Sequence, residues 1–248
     1  MLQIEKIITH GGFHHADEIS AISLLRIVGV TAPVERVFKV SDEQLKCKNT
    51  LVLDIGREFN PNLLNLDHHQ DPSLKASNCL VLDLLVLNNK IKKEIAEILE
   101  NRLFTRISDI DTGVISGGGS SYEFNSFIRN EPNFEKAIGL AKVIIGNLIT
   151  SAEKVIETKE ILNSLERVGS YLINDSKNTL VGWKELAPKG IKGMLAENPR
   201  GGWQITSICS NKHPIVECGS QTFLHNSAFM AVYVDKTSAI NHALEMSK

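Results

Sequence analysis

The first third of the chain alternates short apolar runs with a segment of helical periodicity. Apolar runs at residues 6–9, 34–40 and 50–55 predict buried strands. The run at 50–55 is apolar at successive positions, which is typical of a strand whose two faces are both covered in a parallel sheet. Residues 18–28 have apolar positions at helical spacing, and residues 63–66 predict a further short strand. This alternation predicts an α/β fold with an open, mostly parallel sheet flanked by helices.

The rest of the chain carries helices first and strands later. Residues 76–87 and 91–104 predict two helices, and residues 134–172 predict one long amphipathic connector helix. Strand-like runs return beyond residue 174 and a helix closes the chain; the expected bounds are 179–183, 202–208 and 229–234 for the strands and 237–246 for the helix. We therefore expect two domains, a larger domain with its connector helix at residues 1–172 and a smaller α+β lobe at residues 175–248.

The composition is that of an ordinary soluble globular protein, with 42% hydrophobic and 23% charged residues among 248. The net charge of −2 gives no electrostatic case for gripping long duplex nucleic acid, but a short or single-stranded substrate stays open. No apolar run approaches the ~20 residues that span a membrane, so we expect no membrane partner. The four cysteines lack CxxC spacing and the N-terminus lacks a secretion signal, which favours a cytoplasmic location. A homo-oligomer stays open.

Four polar fragments in the first 113 residues follow apolar or turn residues, and each carries His or Asp. They occupy residues 9–18, 51–56, 65–70 and 108–113. A buried strand that runs into such a residue delivers a ligand to one edge of a sheet, where the ligands of neighbouring parallel strands meet. The candidate metal ligands in these fragments are His10, His15, Asp17, Asp54, His68 and Asp111.

Gathered at one edge, these side chains would call for cations. Three neighbouring carboxylates repel one another strongly enough that at least one would take up a proton. Two divalent cations remove that cost, and a mixed set of imidazoles and carboxylates suits Mn²⁺, Mg²⁺, Fe²⁺ or Zn²⁺. Two such ions ~3.5–4 Å apart acidify a shared water and hold the oxygens of a phosphoryl group during in-line attack. The constellation therefore predicts a metal-dependent hydrolase of phosphate esters or anhydrides.

Two further residues in these fragments, and one loop after them, have alternative interpretations. Asp109 is a rival of Asp111 as ligand, and the other of the two would cap a helix or turn. Glu18 is interpreted as a charge at a helix N-terminus rather than as a ligand. The glycine-rich loop at residues 117–121 is either a backbone cradle for a phosphate or a mobile connector.

The Asp-His-His triplet at residues 67–69, with the fragments before it, resembles the DHH superfamily of phosphoesterases. The closer resemblance is to the melanocyte proliferating gene exonuclease family, once called metal-dependent protein hydrolases. Residues 9–18 are similar to its THxGxFHxDE segment and residues 66–70 to its FDHHQ segment, and weaker similarities continue to residues 223–229. The chain departs from this family in carrying Thr112 where the family has Asn and in lacking a WRGL-type segment. These departures bear on the substrate more than on the metals.

The resemblance implies a division of roles among the candidate residues. One metal would be held by His10, His15 and Asp54, and the other by Asp17, Asp54, His68 and Asp111, with Asp54 bridging. His14 adjoins His15 and is its rival for the same place. His69 would contact the substrate phosphate, and Asp67 would orient the imidazoles from behind.

The resemblance also implies the activity. It predicts a DHH-type catalytic domain with two divalent metal ions, expected to be Mn²⁺, with Mg²⁺, Fe²⁺ or Zn²⁺ as alternatives. The expected reaction is exonuclease-like hydrolysis of phosphodiester bonds in RNA ends or short oligonucleotides. A small-molecule phosphohydrolase such as a pyrophosphatase is the second interpretation, and a non-catalytic metal-binding module is the third. In the small lobe, Arg200 and His225 are candidate substrate-binding residues, against the alternative of a surface arginine and a core histidine.

Overall fold

The computed structural model describes residues 2–116 and 123–248, and the chain divides into two compact units, residues 1–152 and 153–248. The division falls inside one long helix, Phe134–Leu162. The predicted domain boundaries after residue 172 and before residue 175 stay predictions. Among the described residues, no helix has both the length and the apolar content needed to cross a membrane.

The first unit is built on a sheet whose described strands number five. They are β1 (Lys6–His10), β2 (Val34–Val37), β3 (Thr50–Leu53), β4 (Phe59–Asn60) and β5 (Asn65–Leu66). The order across the sheet is β2-β1-β3-β5-β4. Strand β1 is parallel to β2 and β3, β3 is parallel to β5, and β4 is antiparallel to β5. Every residue of β3 is buried, in agreement with its continuous apolar run.

Helices alternate with strands as far as β3 and further helices follow β5, which confirms the predicted α/β class. They are α1 (Ala16–Ile27), α2 (Asp42–Leu45), α3 (Ser77–Leu87), α4 (Lys93–Leu99), α5 (Thr105–Asp111), α6 (Phe124–Arg129) and the first part of α7 (Phe134–Leu162), with a 3-10 turn at Pro61–Leu63 and a π-helical turn at Glu100–Phe104. Helix α1 packs on α3. Its side chains Ile19, Ile22 and Leu25 are fully buried, as their helical spacing predicted.

The prediction that an apolar strand carries residues 108–113 is wrong. These residues belong to the end of α5 and the turn after it. Between residues 104 and 111 the buried side chains are Phe104, Ile107 and Ser108. Ile107 and Ser108 lie three and four positions after Phe104, which is the periodicity of a helix. Asp111 is therefore presented by the C-terminal end of a helix.

The second unit has a mixed sheet, with six strands among the described residues. Its elements are β6 (Glu166–Val168), β7 (Tyr171–Asn174), α8 (Trp183–Leu186), β8 (Gly193–Glu197), β9 (Trp203–Ser207), β10 (Gln221–Leu224), β11 (Met230–Tyr233) and α9 (Lys236–Glu245). The order is β10-β11-β9-β8-β7-β6, and only the β7–β8 pair is parallel in the described sheet. Ile205 and Tyr233 pack with Ala239 and Ala243 of α9 in one apolar cluster. The strands expected in 202–208 and 229–234 and the closing helix are confirmed.

Two secondary-structure predictions for the later part of the chain are wrong. Helix α7 ends at Leu162 and not at residue 172, because the antiparallel pair β6–β7 follows it. Gly169 turns between these strands with φ +57°, a left-handed conformation that glycine adopts at little cost. Residues 179–183 form no strand; they form a turn into α8, and Leu180 is buried in an apolar cluster with Leu172.

We expect Ser108→Ala to lower the free energy of unfolding by about 1–3 kcal/mol. The Ser108 hydroxyl oxygen accepts a hydrogen bond of 2.8 Å from the backbone N–H of Ala76, which precedes α3. The substitution leaves this buried N–H unpaired and loosens α3 from α5. Urea titrations followed by circular dichroism measure the change. Ser73→Ala, at an exposed serine, is the matched control and should stay within about 0.5 kcal/mol of the wild type. A Ser108→Ala protein as stable as this control would contradict the expectation.

Candidate metal centre

Three neighbouring parallel strands bring polar residues to one edge of the first sheet. Strand β1 ends at His10, Asp54 directly follows β3, and Asp67 directly follows β5. The register sets the last residue of β3 beside Thr9 on one side and beside the last residue of β5 on the other. Asp54 has φ +58°, a left-handed conformation that aspartate tolerates better than most residues. The chain therefore turns away sharply at the point where the carboxylate is presented.

The N-terminus of α1 adds a second set of groups. His15 is the N-cap residue, and both carboxylate oxygens of Glu18 accept a hydrogen bond of 2.8 Å from its backbone N–H. A carboxylate three residues after the N-cap is the capping-box arrangement. Asp17 and Glu18 are fully buried in the first turn, where the helix dipole favours negative charge.

The donor atoms from the strands and helices approach one another closely. His10 Nε2 lies 3.1 Å from Glu18 Oε1 and 3.4 Å from Asp54 Oδ2. His68 Nε2 lies 3.2 Å from Asp54 Oδ1 and 3.2 Å from Asp111 Oδ2. Donors on adjacent corners of an octahedron whose bonds are about 2.1 Å lie roughly 3 Å apart, so this spacing fits donors that share a cation.

The donor atoms form three overlapping groups, and within each group all of them lie within 4.8 Å of one another. The groups are His10, His15, Glu18 and Asp54; Asp54, His68 and His69; and His15, Asp17 and Asp111. Asp54 and His15 each belong to two groups, so the three groups make one centre. The structure therefore places all six candidate ligands together in the first unit.

The structure also separates the two pairs of rival ligands. His15 Nδ1 lies 3.8 Å from Asp111 Oδ1, inside the centre. The ring of His14 is buried elsewhere, with Nε2 3.3 Å from the backbone carbonyl oxygen of Ile128. Asp109 belongs to none of the donor groups among the described residues. The geometry thus favours His15 over His14 and Asp111 over Asp109.

Two contributors lie beyond what the sequence interpretation included. Glu18 acts as a helix charge, as interpreted, but it also faces the His10 ring and belongs to the donor set. Its position three residues after a polar N-cap was the available signal. The Ser77 hydroxyl donates a hydrogen bond of 3.1 Å to Asp54 Oδ1. No sequence pattern marks this serine, because the packing of α3 brings it to the sheet edge.

Burial and neighbouring charges shift the pKa values in the centre. The carboxylates of Asp54 and Glu18 raise the pKa of His10 to about 10. Burial lowers the pKa of His68, but the carboxylates of Asp111 and Asp54 outweigh it and raise that pKa to about 9. Burial would raise the pKa of Asp54, yet His10 and His68 hold it well below its usual range. Because a metal competes with these protons for the same donor atoms, metal binding would release protons.

Asp17 is the least satisfied group of the centre. Neither of its carboxylate oxygens has a hydrogen-bond partner among the described residues. Burial first, and then the charges of Asp54 and Asp111, raise its pKa well above the usual range. Within the same part of the chain, Nε2 of His10 and Nε2 of His68 have no partner with hydrogen-bond geometry either. Buried donors and acceptors left unpaired at one place fit residues that coordinate divalent cations.

His69 lies on the open side of the centre and is held by Asp67. Asp67 Oδ1 accepts hydrogen bonds from the His69 backbone N–H at 3.0 Å and from ring Nδ1 at 2.7 Å. Asp67 Oδ2 accepts a hydrogen bond of 2.6 Å from the backbone N–H of Arg57. The side chains of His69 and His15 are 52% and 48% exposed. Solvent therefore reaches the centre at these two imidazoles.

A cavity of about 440 Å³ adjoins the centre at His15 and Asp111. Asn125, Ser126 and Arg129 of helix α6 line this cavity, and the acidic Glu123 lines it as well. Guanidinium and neutral N–H or O–H groups are donors for phosphate oxygens. The cavity therefore offers room and donors for an anionic group next to the candidate ligands.

The two candidate residues of the small lobe lie in the second unit. Arg200 is exposed in the turn between β8 and β9. His225 follows β10; its Nδ1 accepts a hydrogen bond of 3.2 Å from the backbone N–H of Ser227, and its ring centroid lies 4.4 Å from that of Phe229. A role of either residue in substrate binding stays a prediction. The loop predicted at residues 117–121 lies outside the described residues.

Comparison with known proteins gives one family. The model of the MYG1 exonuclease family, described as an uncharacterised protein family (UPF0160), matches residues 6–79. The MYG1 protein of Dictyostelium discoideum is 36% identical over 264 aligned positions, which cover 84% of this chain and 79% of that protein. The MYG1 exonuclease of Mus musculus is 37% identical over 65 residues, 26% of this chain and 17% of that protein. No solved structure matches the chain.

We expect Asp17→Asn to weaken metal binding without unfolding the metal-free protein. Burial and the charges of Asp54 and Asp111 raise the pKa of Asp17, which favours its neutral form without metal, so a neutral amide of the same shape should leave the melting temperature in EDTA within about 2 °C of the wild type. For the wild type, Mn²⁺ at a hundredfold excess over its dissociation constant should add about 2.7 kcal/mol, roughly 5–10 °C. Calorimetry with and without Mn²⁺ should show a smaller rise for Asp17→Asn.

The control for this experiment is Asp83→Asn, at an exposed aspartate of α3. It makes the same carboxylate-to-amide change outside the centre and should keep the full rise with Mn²⁺. An Asp17→Asn protein that also keeps the full rise would show that Asp17 holds no metal.

Proposed function

The chain belongs to the MYG1 family, as its resemblance predicted, and from that premise we propose that it is a two-metal phosphoesterase of the DHH type. Its substrates are RNA ends or short single-stranded oligonucleotides, which it hydrolyses in the manner of an exonuclease. The observation that carries this proposal is the convergence of buried carboxylates and imidazoles on Asp54, which lies in two of the donor groups. The name of the mouse relative, an exonuclease, supports the same activity.

The proposed ligand sets have Asp54 in common. One metal would be held by His10, His15 and Asp54, with Glu18 beside them, and the other would be held by Asp17, Asp54, His68 and Asp111. Hard oxygen donors mixed with imidazoles suit Mn²⁺ first, with Mg²⁺, Fe²⁺ and Zn²⁺ as alternatives. When bound, two such cations acidify a water and offset the charge that develops on the phosphoryl oxygens.

The chain's own groups then bind and orient the substrate. Asp67 fixes the ring of His69 through Nδ1, and this half-exposed side chain would offer its other nitrogen, Nε2, as a donor to a phosphate oxygen. The raised pKa of His69, caused first by the hydrogen bond with Asp67, keeps this ring able to carry a positive charge. The hydrogen bond from the Ser77 hydroxyl to Asp54 Oδ1 holds the Asp54 carboxylate in place. These contacts position charge where a phosphodiester would lie, before any substrate arrives.

The open side of the centre favours catalysis over a purely structural metal site. Structural metal sites are closed by protein ligands, whereas catalytic sites keep a position for water or substrate. Here His15 and His69 are about half exposed, and a cavity of about 440 Å³ adjoins His15. The space and the exposed donors leave a phosphate ester direct access to the candidate ligands.

Asp54→Asn is expected to lower kcat/KM on a single-stranded oligonucleotide with Mn²⁺ by at least about a hundredfold. The amide cannot bridge two cations, and a cation that polarises a phosphoryl oxygen contributes several kcal/mol, at tenfold for each ~1.4 kcal/mol. Asparagine is preferable to alanine because it tolerates the positive φ at this position and can still accept the hydrogen bond from Ser77. Steady-state assays give the rate, and EDTA should abolish the wild-type activity reversibly.

Asp83→Asn again serves as the matched control and should hydrolyse the oligonucleotide like the wild type. Wild-type turnover by Asp54→Asn on every phosphate substrate tried would refute the proposed activity.

We expect Arg129→Gln to raise KM for an oligonucleotide about tenfold and to change kcat little, because the cavity wall would lose its guanidinium contact with a substrate phosphate. Arg102→Gln, at an exposed arginine that does not line this cavity within the described residues, is the control.

Product analysis with oligonucleotides and pyrophosphate decides between the two enzymatic interpretations. Cleavage of pyrophosphate alone would replace the nuclease proposal with the pyrophosphatase alternative.

A further inference from the structure

Two phenylalanines beside the metal centre are almost fully exposed. Phe38 is 88% and Phe13 87% exposed, more than any other large apolar side chain among the described residues. Exposed aromatic rings cost free energy in water unless a ligand or partner covers them. Both belong to segments that leave the edge of the sheet where the candidate ligands converge.

The position of Phe38 is set by the pairing of β1 and β2. His10, the last residue of β1, pairs with Val37, and the backbone N–H of Gly11 donates to the Val37 carbonyl at 2.6 Å. Phe38 comes next, and its ring lies against the turn: a Cβ on Gly11 would be 3.2 Å from two of its ring carbons. The ring is thus held beside the backbone that directly follows the candidate ligand His10.

The turn that carries Phe13 is also held firmly. The guanidinium group of Arg36 donates hydrogen bonds to the carbonyl oxygens of His10 at 3.2 Å and Gly12 at 2.9 Å. The same group lies 4.4 Å from the centroid of the Phe134 ring, which fixes it from the other side. The backbone before Phe13 therefore has a defined position although the side chain itself is in solvent.

From this geometry we infer that Phe38 and Phe13 are stacking surfaces for unpaired bases of the substrate strand. The inference rests on the proposed function and adds the residues that would hold the bases of a single-stranded substrate. Aromatic side chains stack on every base, and each stack is sequence-tolerant. The exposed Lys39, next to Phe38, adds a positive charge that favours the phosphate backbone of such a strand. A pyrophosphate has no ring to cover these surfaces.

Binding can be measured without turnover. The probe is a single-stranded tetranucleotide with 2-aminopurine at one end, whose fluorescence is quenched when the base stacks. It is titrated with the full chain in EDTA and, separately, with Mn²⁺ and phosphorothioate linkages that resist cleavage. We expect quenching by the wild type, and an increase in Kd of about tenfold to a hundredfold for Phe38→Ala, with a smaller increase for Phe13→Ala. Phe38→Trp should restore binding, whereas Phe38→Leu, which keeps apolar area but no ring, should not.

An abasic probe and a remote variant serve as controls. The tetranucleotide with abasic ends keeps the phosphates, so the wild type and Phe38→Ala should bind it equally weakly. Leu87→Ala removes a side chain that is 75% exposed at the end of α3, and it should bind the normal probe like the wild type.

Each outcome separates this inference from the proposed activity. Quenching and Phe38-dependent binding without any hydrolysis would refute the proposed activity and support the stacking inference. Hydrolysis with unchanged Kd and quenching in Phe38→Ala would sink the stacking surface and leave the activity. A wild type that does not bind the probe in either buffer overturns the inference. So does a Phe38→Ala protein whose only change is its oligomeric state in gel filtration, since the rings would then meet a second copy of the chain.

Discussion

Mutual repulsion of buried carboxylates governs the first unit. Asp17, Glu18, Asp54 and Asp111 place acidic groups around one point, and the first three are almost wholly removed from solvent. In a medium of low polarity such charges cannot all be ionised without cations or protons between them. The raised pKa values of His10 and His68 favour protonated imidazoles there in the metal-free chain. Divalent ions would replace several of these protons, so metal binding would also balance the negative charge of the centre.

Because the ligands repel one another, the backbone has to hold them. Each candidate ligand lies within two residues of the end of a regular element: β1, β3 and β5 end at the same edge, α1 begins there, and α5 ends there. The apolar residues of β1 and β3 are fully buried behind this edge. Elements fixed by a packed apolar interior keep charged side chains at distances that flexible loops would not maintain. The core thus provides the rigidity that a centre of like charges requires.

The contacts of the centre differ between its buried side and its solvent-exposed side. Behind it, Ser77 and Glu18 tie ligands to helices α3 and α1. In front of it, half-exposed imidazoles and a cavity lined by donors face solvent. Exposed aromatic rings follow β1 and β2, which lie one and two strands away from β3, the strand that precedes Asp54. Under the proposed function, a phosphate ester with attached bases would meet charged groups and aromatic rings at the same edge of the sheet.

The sequence alone determined the family, the α/β class and the six candidate ligands that the structure brings together. These follow from local information: the periodicity of buried positions, and the polar residues that stand where apolar runs end. Tertiary structure decided what depends on contacts between distant segments. It placed Asp111 at the end of a helix instead of a strand, selected His15 over His14, and brought Ser77 to Asp54 through helix packing. It also set Phe38 against Gly11 through strand pairing. No local pattern encodes such contacts, because strand register and helix packing are set by the whole core at once.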